Sequence, residues 1–417
     1  MRFASRLALG ALVATAALAP AAPAAAHGEA IRAQQWHLGY LKIAEAHKIS
    51  QGAGVTVAVI DTGVADHPDL AGNVLDGIDT VAGGKGNGRG DNSGHGTGMA
   101  GIIAAHGHGT GSRDGALGIA PKAKILPIRV ATATLEPVDK PIAEGIRWAM
   151  AHGAKIINMS IDRGDIETLR AVNEARAAGV LIFAAAGNTT DNDTAVSSPA
   201  RYPWAVAVAG IDQKGNHAPT SVVGTEVEIA APSVKIVSTN KGNIWRNGTG
   251  TSDATAIASG VAALVWSKYP DLSAQEVLHR IEATATDKGA AGRDPQYGFG
   301  VIDPVKALTA EVAPLASATP SKSASPLPSL ASHSPVAAPN EGSNVGLLLA
   351  LGVGGVVLLA VLVLFGVLRP KRHAGPPPGL PYAHGPPGTG PPGQPVAGPP
   401  GQPPGGTPPT WPNGPRP

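Results

Sequence analysis

Three short stretches of this 417-residue chain carry residue types that together could hydrolyse an acyl bond. Val57-Ala58-Val59-Ile60-Asp61-Thr62-Gly63-Val64 is an apolar run that ends in a carboxylate. Asn92-Ser93-Gly94-His95-Gly96-Thr97-Gly98-Met99-Ala100-Gly101 sets a histidine between glycines. Asn247-Gly248-Thr249-Gly250-Thr251-Ser252-Asp253-Ala254-Thr255 sets a serine among small residues. Taken singly, each has a plain structural role as turn former, loop histidine or helix cap. Taken together they suit nucleophilic catalysis. A serine hydroxyl attacks poorly until an imidazole takes its proton, and that imidazole needs a carboxylate to fix its tautomer and stabilise the imidazolium. The order Asp61, His95, Ser252 along the chain is one of three that unrelated folds use for this purpose.

Such groups need a rigid frame. Val55–Ile60 is a compact β-branched run, and Lys124–Val130, Lys155–Ser160, Val180–Ala186 and Ala205–Ala209 repeat it. Unbroken apolar runs of this length predict strands buried on both faces. Ile142–His152 places Ile142, Ile146 and Met150 at helical spacing before Gly153, and Ile166–Ala178 stops likewise at Gly179. Thr255–Lys268 is apolar nearly all round, which predicts a helix inside the core. Strands alternating with helices give an α/β fold with a mainly parallel sheet flanked by helices.

On these motifs the chain resembles the subtilisin-like serine proteases, or subtilases, from about Gln35 to Leu308. The resemblance implies endopeptidase activity through an acyl-enzyme, with Asp61, His95 and Ser252 as the triad. It also implies a role for Phe183-Ala184-Ala185-Ala186-Gly187-Asn188, where Asn188 matches the asparagine that helps hold the tetrahedral intermediate's oxyanion. The backbone N–H of Ser252, near a helix start, would be the second donor. By the same matching, Ile157-Asn158-Met159-Ser160-Ile161 is a strand edge for an extended peptide, and Ser160, Ile161 and Gly187 border the pocket for the side chain before the cut.

Three positions depart from the pattern. Asp253 stands where Met or another apolar residue is usual, and its charge would oppose a nearby oxyanion unless the side chain points away. Ala256 replaces a Pro. Asp162 replaces a small Gly, which suggests a pocket favouring basic side chains.

The ends of the chain address compartment. Arg2 and Arg6 precede an apolar stretch from Leu7 to Leu18, and Ala24-Ala25-Ala26 offers a cleavage site, so 1–26 reads as a signal peptide. Residues 27–310 read as the peptidase domain; no large folded pro-domain is expected, with room for a short trimmed extension, because Trp36-His37-Leu38 already resembles the mature N-terminal segment. Residues 311–344, rich in Ala, Pro and Ser, read as a stalk. Val345–Leu368 carries no charge, and as a helix spans about 36 Å, enough for a hydrocarbon core of about 30 Å. Arg369, Lys371 and Arg372 follow it directly, which places the Pro/Gly-rich tail 369–417 in the cytoplasm and the peptidase outside.

The layout resembles the mycosins, subtilases associated with type VII secretion in Gram-positive bacteria. Its implied partners are protein or peptide substrates, the membrane as a single-pass anchor, and secretion-complex proteins. A formal charge of +2 gives no broad field for nucleic acid. With no Cys, a thiol nucleophile and a disulfide framework are excluded. No cofactor or metal is required for catalysis, and structural calcium is left open; Asp91 and Asn92 read as loop formers. A second reading makes the domain a structural component of a secretion complex with a dispensable protease site, and rests on Asp253 alone.

Overall fold

Val57 and Val59 point to one side of strand β1 (Thr56–Asp61), Ala58 and Ile60 to the other, and all four are fully buried. Successive strand residues face opposite ways, so burial of both sets means that β1 lies between two packed layers. Val57 and Val59 belong to one apolar core and Ala58 and Ile60 to another. The computed structural model describes residues 31–81, 84–132 and 139–315. The expected signal peptide, most of the stalk, the span 345–368 and the tail lie outside the described residues. Among the described residues, no helix is long and apolar enough to cross a membrane.

Elements follow in the order α1 (Trp36–Tyr40), α2 (Ile43–Ala46), β1, β2 (Ile78–Asp79), α3 (His95–Ala104), β3 (His106–His108), β4 (Asp114–Leu117) and β5 (Lys124–Arg129). Then come α4 (Asp139–Ala151), β6 (Ile156–Met159), α5 (Ile166–Ala177), β7 (Leu181–Ala185), β8 (Ala205–Ile211) and β9 (Val227–Pro232). The hairpin β10 (Ile236–Asn240) and β11 (Ile244–Gly248) leads into α6 (Thr251–Lys268), α7 (Ala274–Thr284) and α8 (Pro304–Thr309).

Seven strands form one sheet in the order β2-β5-β1-β6-β7-β8-β9, and every pairing in it is parallel. Helices α3 and α6 cover one face, with α6 against β6, β7, β8 and β9. Helices α4 and α5 pack on each other on the other face. The expected strands and helices therefore form, and α6 begins at Thr251, earlier than its apolar run suggested.

The strand order locates the chemistry. From β1 the chain first builds one side of the sheet through β2 and β5, then crosses to the other through β6. The order thus reverses at β1. In open parallel sheets such a switch point opens a crevice beyond the carboxyl ends of the strands. Asp61 closes β1 at that end, and Ser160 and Ala186 directly follow β6 and β7.

The N-terminal segment is tied to this frame. Trp36 Nε1 donates to the Val234 carbonyl at 2.9 Å, and Gln35 Nε2 to those of Leu117 and Val237 at 2.9 and 3.1 Å. His37 in α1 is fully buried, and neither ring nitrogen has a hydrogen-bond partner among the described residues. Burial alone pushes its pKa from 6.5 down to about 3. The folded state therefore holds His37 neutral where the unfolded chain binds a proton. Its contribution to stability is complete above pH 6.5 and falls by about 1.4 kcal/mol per unit between 6.5 and the folded pKa. His37→Met is expected to flatten that acid slope; urea midpoints of the full chain measured from pH 7 to 4 check it, and an unchanged slope refutes it.

Candidate active site

Asp61 is fully buried at the end of β1, and its carboxylate meets His95 Nδ1 at 2.9 Å through Oδ1 and 3.0 Å through Oδ2. Oδ1 also accepts the Thr62 N–H at 2.7 Å. A carboxylate only accepts, so it is Nδ1 that carries the proton and Nε2 that is left with its lone pair. His95 is the first residue of α3 and keeps 29% of its side chain exposed.

Why His95 stands there follows from its neighbours. Gly94 (φ 90°) leads into α3, and Asp91 caps the helix in place of a local side chain. Both Asp91 oxygens are occupied: Oδ1 by the Ser93 and Gly94 N–H groups (3.0 and 2.7 Å) and the Thr62 hydroxyl (2.9 Å), Oδ2 by the Thr97 N–H and hydroxyl (2.9 and 2.6 Å). Asp91 is thus a loop organiser that ties α3 to the end of β1. Gly96 completes the approach, since a Cβ there would lie 2.1 Å from the Gly63 carbonyl oxygen. Only a glycine lets the helix come close enough for His95 to reach Asp61.

Ser252 is the second residue of α6, and its Oγ donates to the Ser160 carbonyl oxygen at 3.4 Å rather than to His95. The Ser160 hydroxyl donates to the Ser252 carbonyl oxygen at 3.1 Å and accepts from Asn158 Nδ2 at 3.0 Å. Asn158 Oδ1 in turn accepts from the Ser259 hydroxyl at 3.1 Å. This buried chain fastens the start of α6 to β6.

Asn188 faces the same start. Its Oδ1 accepts from the Thr251 N–H at 2.9 Å and the Thr251 hydroxyl at 3.3 Å. A backbone N–H can only donate, so the amide orientation is fixed and Nδ2 must face away. Nδ2 donates to Asp191 Oδ2 at 3.0 Å. Gly187 (φ 113°) donates its N–H to the Thr251 hydroxyl at 3.2 Å. The N–H of Asp253 reaches the Gly250 carbonyl, and that of Ser252, in the first turn of α6, has no intrahelical acceptor.

These groups surround a cavity of about 470 Å³ lined by His95, Ser252, Ser160, Ile161 and Asn188, with Asp162 and Arg163 on its rim. Gly187, expected to border this pocket, is not among the lining residues, whereas Ala185 and Asn188 are. The acidic character expected from Asp162 is offset by Arg163 beside it and reinforced by Asp191.

The imidazole's electrostatics favour a base. Burial disfavours the His95 cation, but the charge and hydrogen bond of Asp61 outweigh it, and the pKa rises above 6.5. Asp253, the unexpected carboxylate, is buried and turned toward Arg246 of β11. Sequence reasoning missed Arg246. A carboxylate in an otherwise apolar helix demands a cation, but nothing along the chain says which one. Among the described residues, no group of three or more His, Asp or Glu side chains converges to hold a metal ion.

Comparison with known proteins agrees with this geometry. The subtilase family model matches residues 52–300. A thermostable alkaline protease of Halalkalibacterium halodurans is 39% identical over 270 residues, covering 64% of this chain and 71% of the relative. Subtilisin DY of Bacillus licheniformis is 38% identical over 258 residues, covering 61% and 90%. Among solved structures, MycP1 from Mycobacterium smegmatis superposes with a TM-score of 0.59 at 32% identity, covering 68% of this chain and 88% of that one. MycP3 protease from the type VII (ESX-3) secretion system gives 0.56 at 33%, covering 66% and 88%. Catalysis in this family needs no cofactor. The chain belongs to the subtilase family and is a serine endopeptidase with the mycosin proteases as structural neighbours.

Proposed function

We propose that Asp61, His95 and Ser252 are the triad of this endopeptidase, and that it works outside the membrane on exported proteins, tethered by residues 345–368. The observation that carries the reading is the Asp61–His95 contact at 2.9 Å in the cavity that also holds Ser252. In this reading the Ser252 hydroxyl leaves the Ser160 carbonyl and turns to Nε2. His95 then takes the hydroxyl proton as Oγ attacks the scissile carbonyl, and returns it to the leaving amine. In this reading the Ser252 N–H, and the Asn188 amide once it leaves Asp191, donate to the oxyanion. The edge Ser160–Ile161 receives the peptide backbone.

The tether rests on the uncharged run 345–368 followed by Arg369, Lys371 and Arg372, and on the leader 1–26. Similarity to MycP1 and MycP3, whose names tie them to type VII secretion, supports a place beside secretion-complex proteins.

A membrane-impermeant fluorophosphonate probe added to intact cells tests both parts. The full chain is expected to label, and Ser252→Ala to abolish the label. Labelling that survives Ser252→Ala sinks the triad. Labelling only after lysis sinks the external placement.

A further inference from the structure

Asp253 directly follows the nucleophile, and only 1% of its side chain is exposed. Arg246 reaches it from β11: Nη1 lies 3.1 Å from Oδ1, and Nη2 donates to Oδ2 at 3.3 Å. The shorter contact lacks hydrogen-bonding angles, so one hydrogen bond and the opposite charges hold the pair. The backbone makes room for the guanidinium. A Cβ on Gly98 of α3 would lie 2.7 Å from Arg246 Cδ, and one on Gly248 would lie 1.8 Å from Nη2. Both members of the pair line the cavity that holds His95. A buried ion pair is a poor source of stability where an apolar side chain would fit, because desolvating the charges consumes most of the Coulombic gain. The first turn of a helix buried on all sides is such a place.

We infer that Arg246 and Asp253 are a positioning pair for His95, two opposite charges fixed near the imidazole whose balance governs how readily it takes up and releases a proton. The inference rests on the triad reading. The charged groups that act on His95 are Asp61 from β1, Arg246 from β11 and Asp253 from α6, and Asp162, Arg163 and Asp191 also line the cavity. The directions are consistent. Asp253 favours the imidazolium and Arg246 opposes it, with Asp61 the stronger influence. Burial raises the Asp253 pKa, and Arg246 and then His95 hold it down. Burial wins and the net direction is upward, so it is the ion pair with Arg246 at 3.1 Å that keeps Asp253 charged, and the pair contributes a fixed dipole rather than a net charge.

The two charges predict unequal shifts, because only one of them depends on the other for its charge. Activity needs neutral His95, so the acid limb of kcat/KM against pH follows the imidazole pKa. Asp253→Asn leaves Arg246 uncompensated and moves that limb down by about 0.5–1 unit. Arg246→Met removes the cation that keeps Asp253 charged; the buried carboxyl then takes up a proton, and the limb moves much less. The double variant, which buries no unpaired charge, returns most of the way to the parent. The full chain is assayed on a peptide substrate, and the His95 imidazole is also titrated by NMR in a Ser252→Ala background, assigned by its loss in His95→Gln. A downward shift in Asp253→Asn that the double variant reverses supports the pair. No shift in Asp253→Asn, or one that the double variant retains, overturns it. If Arg246→Met fails to fold, the downward shift of Asp253→Asn and its reversal in the double variant decide. The NMR titration needs no turnover, so failure of this inference is distinct from failure of the triad, which the fluorophosphonate label reports.

Discussion

Asp61→Asn is expected to lower kcat by about 10⁴-fold while leaving the fold intact. The change is isosteric, and its effect follows from the hydrogen bonds around the side chain. Asp61 Oδ1 accepts the Thr62 N–H at 2.7 Å, so an asparagine would keep its carbonyl oxygen there. Its amide nitrogen would then face His95 Nδ1 and donate. Nδ1 would have to accept, which moves the imidazole proton to Nε2, where it can no longer take a proton from Ser252. The imidazolium would also lose the carboxylate that stabilises it. With the charge of Asp61 gone, the His95 pKa falls, so the acid limb of whatever activity remains moves to lower pH. Steady-state kinetics of the full chain on a peptide substrate from pH 5 to 9 measure both effects. A variant within ten-fold of the parent would show that Asp61 does not set the tautomer.

Much of this site was legible in the sequence because its parts are local. A β-branched run ending in Asp61 reads as a buried strand with a carboxylate at its end, and β1 is that strand. His95 and Ser252 each sit in a glycine-rich approach to a helix, and both helices form. What local reading cannot supply is which strands become neighbours. That β1 lies between β5 and β6, and so opens a crevice at its carboxyl end, depends on crossovers spanning about a hundred residues. The same limit applies to charge partners. Asp253 stood out as a carboxylate that could oppose the oxyanion; the hairpin β10–β11 resolves it by bringing Arg246 alongside. Asp91 read as a loop former, but its five hydrogen bonds to Thr62, Ser93, Gly94 and Thr97 could be counted only once α3 and β1 were placed side by side.

Asn188 is where sequence and structure differ most in what they ask of a residue, and a pair of substitutions separates the two. Matched to its family position, its amide should donate to the oxyanion. In the structure Nδ2 instead donates to Asp191 Oδ2 at 3.0 Å. The Thr251 N–H holds Oδ1, so the amide cannot flip to find another donor direction. Asp191 therefore competes for the donor and adds a negative charge close to where the oxyanion forms. Asp191 is exposed, and its side chain can swing into solvent when substrate arrives. Asn188→Ala is expected to lower kcat by about 10²–10³-fold with KM little changed, because the bond it removes forms mainly in the transition state. Asp191→Ala is expected to raise kcat several-fold by releasing the amide, and the gain should vanish when Asn188→Ala is added. Steady-state kinetics of the three variants read both effects. If Asp191→Ala slows the enzyme as Asn188→Ala does, then Asp191 aims the amide rather than withholding it, and the competition argued here is wrong.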